Sequence, residues 1–331
     1  MLEQIQSIRT KLMENDNVVL EVSPSPHIAD SSFTTRRMMA DVIIGLIPVM
    51  GMAIYVFHFY VIKQMLICLF TCLAAEAVFI KMRNRPFSLT DLSAAVTGLI
   101  LGLSLPVTAP WYVGVIASVF AIGIGKVIFG GLGMNIFNPA MAGRAFVMIA
   151  FASLMAASGY VDPKIGIDAI TQATPLTAFK QMGSATPLSN LVFGFVNGSP
   201  GEISAIACII GGLYLCARRT ASWEIPAGII LMAAIISGLA GLFGQGVLWT
   251  IGYHLFSGAL LFGAFFIATD PVTSPITPVG KFIFGVGIGF FVMIIRLFSG
   301  YPEGVMFAVL LMNAVTPLIN RWTIPSAMGE K

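Results

Sequence analysis

Pro106-Val107-Thr108-Ala109-Pro110 returns as Pro271-Val272-Thr273-Ser274-Pro275 at an offset of 165 residues, half of the 331-residue chain. Each copy follows a small-residue helix headed by serine, Ser93-Ala94-Ala95 in one case and Ser257-Gly258-Ala259 in the other. Each also precedes a helix with a Gly-x-Gly step, Gly123/Gly125 and Gly287/Gly289. Three features recurring in one order point to an internal repeat and not to two unrelated helix ends. With an odd number of crossings per half the copies face opposite ways. Inverted repeats of this kind hold ligands or ions between the halves, where Pro and Gly interrupt helices.

Composition says what solvent the repeat folds in. The chain has 18 Lys and Arg and 15 Asp and Glu, against 57% hydrophobic residues and a mean hydropathy of +0.91. A soluble domain carries charge on about a quarter of its residues, so this chain is an integral membrane protein. Apolar runs fall at about 38–61, 64–80, 91–105, 111–129, 143–157, 202–217, 225–242, 247–269, 281–298 and 303–320. They are too long and continuous for barrel strands, and they predict about ten transmembrane helices in two inverted five-helix repeats. The expected organisation is a cytoplasmic N-terminal segment (1–37), a first membrane repeat (38–157), an extracytoplasmic loop (158–201), a second repeat (202–320) and a cytoplasmic tail (321–331). With the N-terminus inside, fourteen of the 18 positive residues fall on the inner side, and only Lys63, Lys164, Lys180 and Arg296 on the outer. That bias is the positive-inside rule, and it puts both termini in the cytoplasm. A net charge of +3 gives no reason to expect nucleic acid. The polar N-terminus has no short apolar core with a cleavage site, so no cleaved signal peptide is expected.

The outward loop carries the most specific motif. Asp168-Ala169-Ile170-Thr171-Gln172-Ala173-Thr174-Pro175-Leu176 matches D-x-x-[ST]-x-A-T, which resembles the acceptor sequence of the transferases that attach FMN through its phosphate to a threonine hydroxyl. An acceptor must be an alcohol on a flexible, solvent-reachable segment, and Ala173 is a small neighbour that lets another enzyme's active site close over it. Thr174 is the expected phosphoester acceptor, with Asp168 and Thr171 as recognition positions. Ser184-Ala185-Thr186-Pro187 repeats the ending, but it has Gly183 and Lys180 where the motif needs Ser or Thr and Asp.

With that loop, Ser25-Pro26-His27-Ile28, Asn138-Pro139-Ala140-Met141-Ala142-Gly143-Arg144, Gly198-Ser199-Pro200-Gly201-Glu202, Thr269-Asp270-Pro271-Val272-Thr273 and Tyr301-Pro302-Glu303-Gly304-Val305-Met306-Phe307 make the chain resemble the RnfD family, the D subunits of Rnf complexes, from about residue 23 to 322. The sister family, the B subunits of the sodium-pumping NADH:quinone oxidoreductase (NqrB), shares the motif but has a longer N-terminal region. The resemblance implies a covalent FMN, a second, non-covalent riboflavin, and a fold similar to the urea transporters. It also implies an inner-membrane complex that couples electron transfer between ferredoxin and NAD to outward movement of Na⁺ or H⁺. Implied partners are the other Rnf subunits, namely the FMN-bearing RnfG, the membrane proteins RnfA and RnfE and the cluster- and nucleotide-binding RnfB and RnfC, together with a flavin transferase. This chain has neither cluster cysteines nor a nucleotide-binding glycine fingerprint, so no catalytic residue is assigned to it alone.

Acids within apolar runs are the remaining candidates, because burial there is expensive. Glu76 and Asp270 are expected on an ion path, against a structural pairing of Glu76 with Lys126 or Arg144 and a capping role for Asp270. Asp41 and Asp91 read as interfacial caps, Glu202 and Glu303 as acids heading helices. Phe57, Phe59 and Tyr60 read as interfacial aromatics. Cys68, Cys72, Cys208 and Cys216 lack metal spacing, as do His27, His58 and His254, so no metal is assigned. A reading from another class, a small-solute channel without redox activity, shares the same fold and differs by lacking covalent flavin.

Overall fold

The computed structural model describes residues 34–83, 89–156, 159–161, 169–171, 174–182, 185–194, 196–242, 246–299 and 303–325. They are helical apart from one antiparallel pair, β1 (Gly159–Val161) with β2 (Ala169–Thr171), in which Tyr160 lies opposite Ile170. The first helices are α1 (Thr35–Phe57), α2 (Phe59–Met82), α3 (Ser93–Ser104), α4 (Trp111–Ile122), α5 (Pro139–Ala150) and α6 (Ala152–Ala156). After the strands come α7 (Pro175–Met182), α8 (Leu188–Phe193), α9 (Ala205–Ala217), α10 (Glu224–Leu242), α11 (Val247–Phe256), α12 (Leu260–Phe262), α13 (Pro278–Phe298) and α14 (Val305–Thr323). A π turn, Gly123–Val127, extends α4, and another, Gly263–Ile267, extends α12.

Among the described residues five helices, α1, α2, α10, α13 and α14, are long and apolar enough to cross a membrane. A sixth span forms if α11 and α12 with its π turn count together across a 62° bend. Four shorter apolar helices, α3, α4 with its π turn, α5 and α9, have between 10 and 17 residues. Length alone therefore supports a multi-pass membrane protein of five or six full spans, with shorter helices packed among them.

Four helix starts follow from local sequence. Thr34, Asn138, Ser204 and Thr277 each accept a backbone N–H from the first turn of α1, α5, α9 and α13, and Pro139 and Pro278 stand at the first helical position. The two small-residue helices begin differently. Each follows a residue in the left-handed region, Leu92 at φ 64° before α3 and Gly258 at φ 68° before α12. A carboxylate then takes the first free N–H: Asp91 Oδ1 accepts from Ser93 N at 2.8 Å, and Glu303 Oε2 accepts from Ala259 N at 2.9 Å. A Cβ at Gly258 would stand 2.2 Å from that Glu303 oxygen, so glycine is required there.

The strongest helix pairings are α10 with α13, α2 with α3, α10 with α11, α4 with α5, α13 with α14, α2 with α4 and α1 with α9. Where α1 meets α9, a Cβ on Gly211 would lie 2.0 Å from the Gly45 carbonyl oxygen, so the two backbones touch. Polar contacts tie the helix ends into two sets. At one end Asp41 of α1 accepts from Tyr214, Arg218 and Thr220, Lys281 donates to Ser222, and Thr277 bonds Thr323. At the other, Lys180 of α7 donates to the carbonyls of Arg296 and Ser299 at the end of α13.

Several local expectations change. Phe57 is fully buried, and of the three expected interfacial aromatics Phe59 is the exposed one. Asp41 is buried in the contact of α1 with the end of α9, so it clamps two helices and caps neither. Lys126, Arg144 and Arg296 are also buried, so three of the charges counted as topology markers belong to the interior.

Candidate functional site

Of the loop motif, Asp168 lies outside the described residues, and Thr171 ends β2 with only its backbone described. Thr174 stands immediately before α7 and is half-buried. Its Oγ1 accepts the Thr177 N–H at 3.3 Å and lies 2.8 Å from the Thr177 hydroxyl, so it caps the eight-residue helix. Pro175 follows at the first helical position, where a missing N–H costs nothing. The helix is docked, not loose. Tyr253 of α11 donates from its hydroxyl to the Pro175 carbonyl at 2.8 Å, and Phe179 packs on the Tyr253 ring at 4.9 Å. Trp249 stacks on Tyr253 with centroids 4.9 Å apart and planes 20° from parallel. Thr186 of the incomplete second motif also reaches the Tyr253 side chain, so both threonines share one anchor.

Directly beside that anchor α11 breaks, and Arg296 holds the break. Its Nη1 donates to the His254 carbonyl at 2.6 Å, its Nη2 to the Ser257 carbonyl at 3.0 Å, and Nη2 lies 3.4 Å from Glu303 Oε1. Glu303 is thus bound to the start of α12 rather than heading α14. Glu202 likewise does not head α9, whose cap is Ser204; it accepts from Ser199 N at 2.6 Å and Ser199 Oγ at 2.7 Å. Glu202 interacts electrostatically with both Glu303 and Arg144, which links a buried cation of α5 to the second half of the chain. Sequence reading missed this node because its members lie far apart in the chain; the signal available was that its two acids stand in breaks, Glu202 after Gly198-Ser199-Pro200-Gly201 and Glu303 before Gly304.

Glu76 and Lys126 form a second buried charge pair. Lys126 Nζ lies 2.5 Å from Glu76 Oε1 and 2.5 Å from Ser93 Oγ, and Ser93 Oγ in turn donates to Asp91 Oδ1 at 2.6 Å. The π turn carries Lys126 into this position, with both side chains almost wholly excluded from solvent. Of the two partners named for Glu76, the structure therefore selects Lys126. Asp270 stands elsewhere, at the second Pro-Val-Thr turn, where it accepts from Val272 N and Thr273 Oγ1. It also lines a cavity of about 70 Å³ with Met39, Asn138, Thr220 and Phe266. Thus the structure leaves Glu76, Asp270 and Thr174 at three separate places.

A sequence profile of the NQR2, RnfD, RnfE family matches residues 21–329. The chain belongs to that family. Among relatives, the D subunit of the Na(+)-translocating ferredoxin:NAD(+) oxidoreductase complex of Acetobacterium woodii is 44% identical over 308 residues, covering 92% of this chain and 93% of its own. The D subunit of the ion-translocating oxidoreductase complex of Shewanella amazonensis is 38% identical, covering 95% and 99%. The D subunit of the proton-translocating ferredoxin:NAD(+) oxidoreductase complex of Clostridium ljungdahlii is also 38% identical, covering 95% and 97%. Members of the family are thus named for different coupling ions.

Proposed function

We propose that this chain is the D subunit of an ion-translocating oxidoreductase complex, that it carries FMN esterified to Thr174, and that its acids Glu76 and Asp270 serve ion movement. The observation that carries the reading is Thr174 itself: the one threonine with the full motif is the cap of a docked helix, α7. A phosphodiester at that place is favoured, because a helix N-terminus offers free N–H groups and a positive dipole end to an anion. Thr174 would hold the phosphate, and the Trp249–Tyr253 stack supplies an aromatic wall at the same end of the molecule. When bound, the flavin supplies the electron carriage; the chain's residues anchor it and orient it. The implied riboflavin finds no such support at the Asp270 cavity, which has room for about two waters, and no residues are assigned to it.

The proposed setting is a cytoplasmic membrane with ten crossings, termini inside and 158–201 outside. Matched starts at α3 and α12 support an inverted repeat, as does the separation of the helix ends into two polar sets. RnfA, RnfB, RnfC, RnfE and RnfG, with a flavin transferase, complete the proposed complex.

The test is flavin fluorescence in a denaturing gel. Thr174→Ala loses the covalent signal and Thr186→Ala keeps it. A signal that survives Thr174→Ala, or none in native membranes with the transferase present, overturns the reading.

A further inference from the structure

The first Pro-Val-Thr turn roofs a cavity of its own, of about 300 Å³, lined by Tyr60, Lys63, Gln64, Thr108, Pro110 and Trp111. At roughly 30 Å³ per water that is space for about ten waters, enough for a hydrated anion or a lipid headgroup. Four observations give it a sign. Gln64 is 4% exposed, and its Nε2 meets no hydrogen-bond partner among the described residues. A buried amide donor without a partner is costly, so an acceptor in the cavity is favoured. Lys63, exposed on the adjoining position of α2, brings a cation to the rim. Two helix N-termini converge there, since α2 begins at Phe59 and α4 at Trp111, and neither His58 nor Pro110 provides a side-chain cap. Both helices therefore present first-turn N–H groups and positive dipole ends to the same space.

The two Pro-Val-Thr turns differ in charge at matched positions. Asp270 precedes the second copy, and Leu105 stands at the matching place before the first. An acidic cavity and a basic one thus lie at the two copies of one motif. Trp111, which lines the basic one, is exposed, as is Phe59 next to Tyr60 in the chain, in the manner of aromatic side chains at the level of lipid headgroups.

We propose that the cavity under Pro106–Pro110 binds a phosphate-bearing anion, held by Lys63, the Gln64 amide and the N-termini of α2 and α4. The phosphate comes from the headgroup of an anionic phospholipid or from a soluble phosphate. The proposal does not depend on flavin attachment. The purified complex is washed in detergent, incubated with phosphatidylglycerol or phosphatidylcholine, and its retained lipid counted by mass spectrometry. In parallel, its melting temperature is read with and without inorganic phosphate. Wild type retaining about tenfold more phosphatidylglycerol than Lys63→Ala/Gln64→Leu, a difference of about 1.4 kcal/mol, identifies a lipid source. Stabilisation of wild type alone by inorganic phosphate identifies a soluble one. Lys63→Gln, at an exposed position, keeps the fold and shows a partial loss in either arm. Equal lipid retention and equal phosphate response in wild type and both variants overturn the proposal.

Discussion

Lys126 shows what one residue does in this interior. A lysine in a Gly-Ile-Gly-Lys-Val stretch counts by sequence as an inner-side charge and as one of two possible partners of Glu76; it is fully buried against Glu76 and the Ser93 hydroxyl. Removing one partner of a buried pair leaves the other charge desolvated, and that typically costs about 3–5 kcal/mol. Lys126→Met is therefore expected to lower thermal stability in detergent sharply, and Glu76→Gln/Lys126→Met to recover most of the loss; a double variant as unstable as the single one would contradict the pairing energetics. If Glu76 also serves ion movement, Glu76→Gln reduces ion pumping in vesicles more than electron transfer, and equal losses remove the specific coupling role. Arg296 acts by shape as well as charge. Its fork meets two carbonyls and Glu303, and lysine cannot reproduce that geometry. Arg296→Lys should cost about 1–3 kcal/mol, as expected for buried acceptors left unpaired, read as a lower melting temperature.

At the scale of elements, the decisive contacts are those no helix makes alone. α1 and α9 approach until Gly45 and Gly211 touch, and a larger side chain there must push the two helices apart. Gly211→Val is expected to cost about 2 kcal/mol or more by overpacking, whereas Gly51→Ala, with open space around it, should be neutral; thermal unfolding of both variants distinguishes a local clash from a general intolerance to change. The α11–α12 break belongs to this scale too. Its apolar run reads as one span, but Gly258, Glu303 and Arg296 divide it and turn the second piece by 62°. A carboxylate 44 residues away, and not the break sequence itself, supplies the cap. The same sharing governs α7, whose helical pattern in the polar loop is short, and whose place is set by Tyr253 of α11 and by its own Lys180 bonding the end of α13.

For the whole molecule, the arrangement separates two faces. Lys180 belongs to one polar set of helix ends and Arg321 closes α14 near the other. Lys180→Cys should accordingly react with a membrane-impermeant maleimide in intact cells, and Arg321→Cys only after permeabilisation; labelling of both from one side would overturn the proposed topology. Much of this was legible beforehand. Scarce charge and long apolar runs establish a multi-pass helical membrane protein, because the hydrocarbon admits little else, and a motif of contiguous residues singles out Thr174 from Thr186 by covalent order alone. The sequence also shows the recurring Pro-Val-Thr motif, since both copies keep their prolines. What only the tertiary structure decided is where remote groups meet: Glu76 with Lys126, Glu303 with Arg296 and the start of α12, and the Gln64 amide, without a partner among the described residues, beneath the first Pro-Val-Thr turn. Local sequence carries periodicity and backbone preference, but a buried charge takes its partner from whichever helix packing brings within about 4 Å, and that is a property of the folded whole.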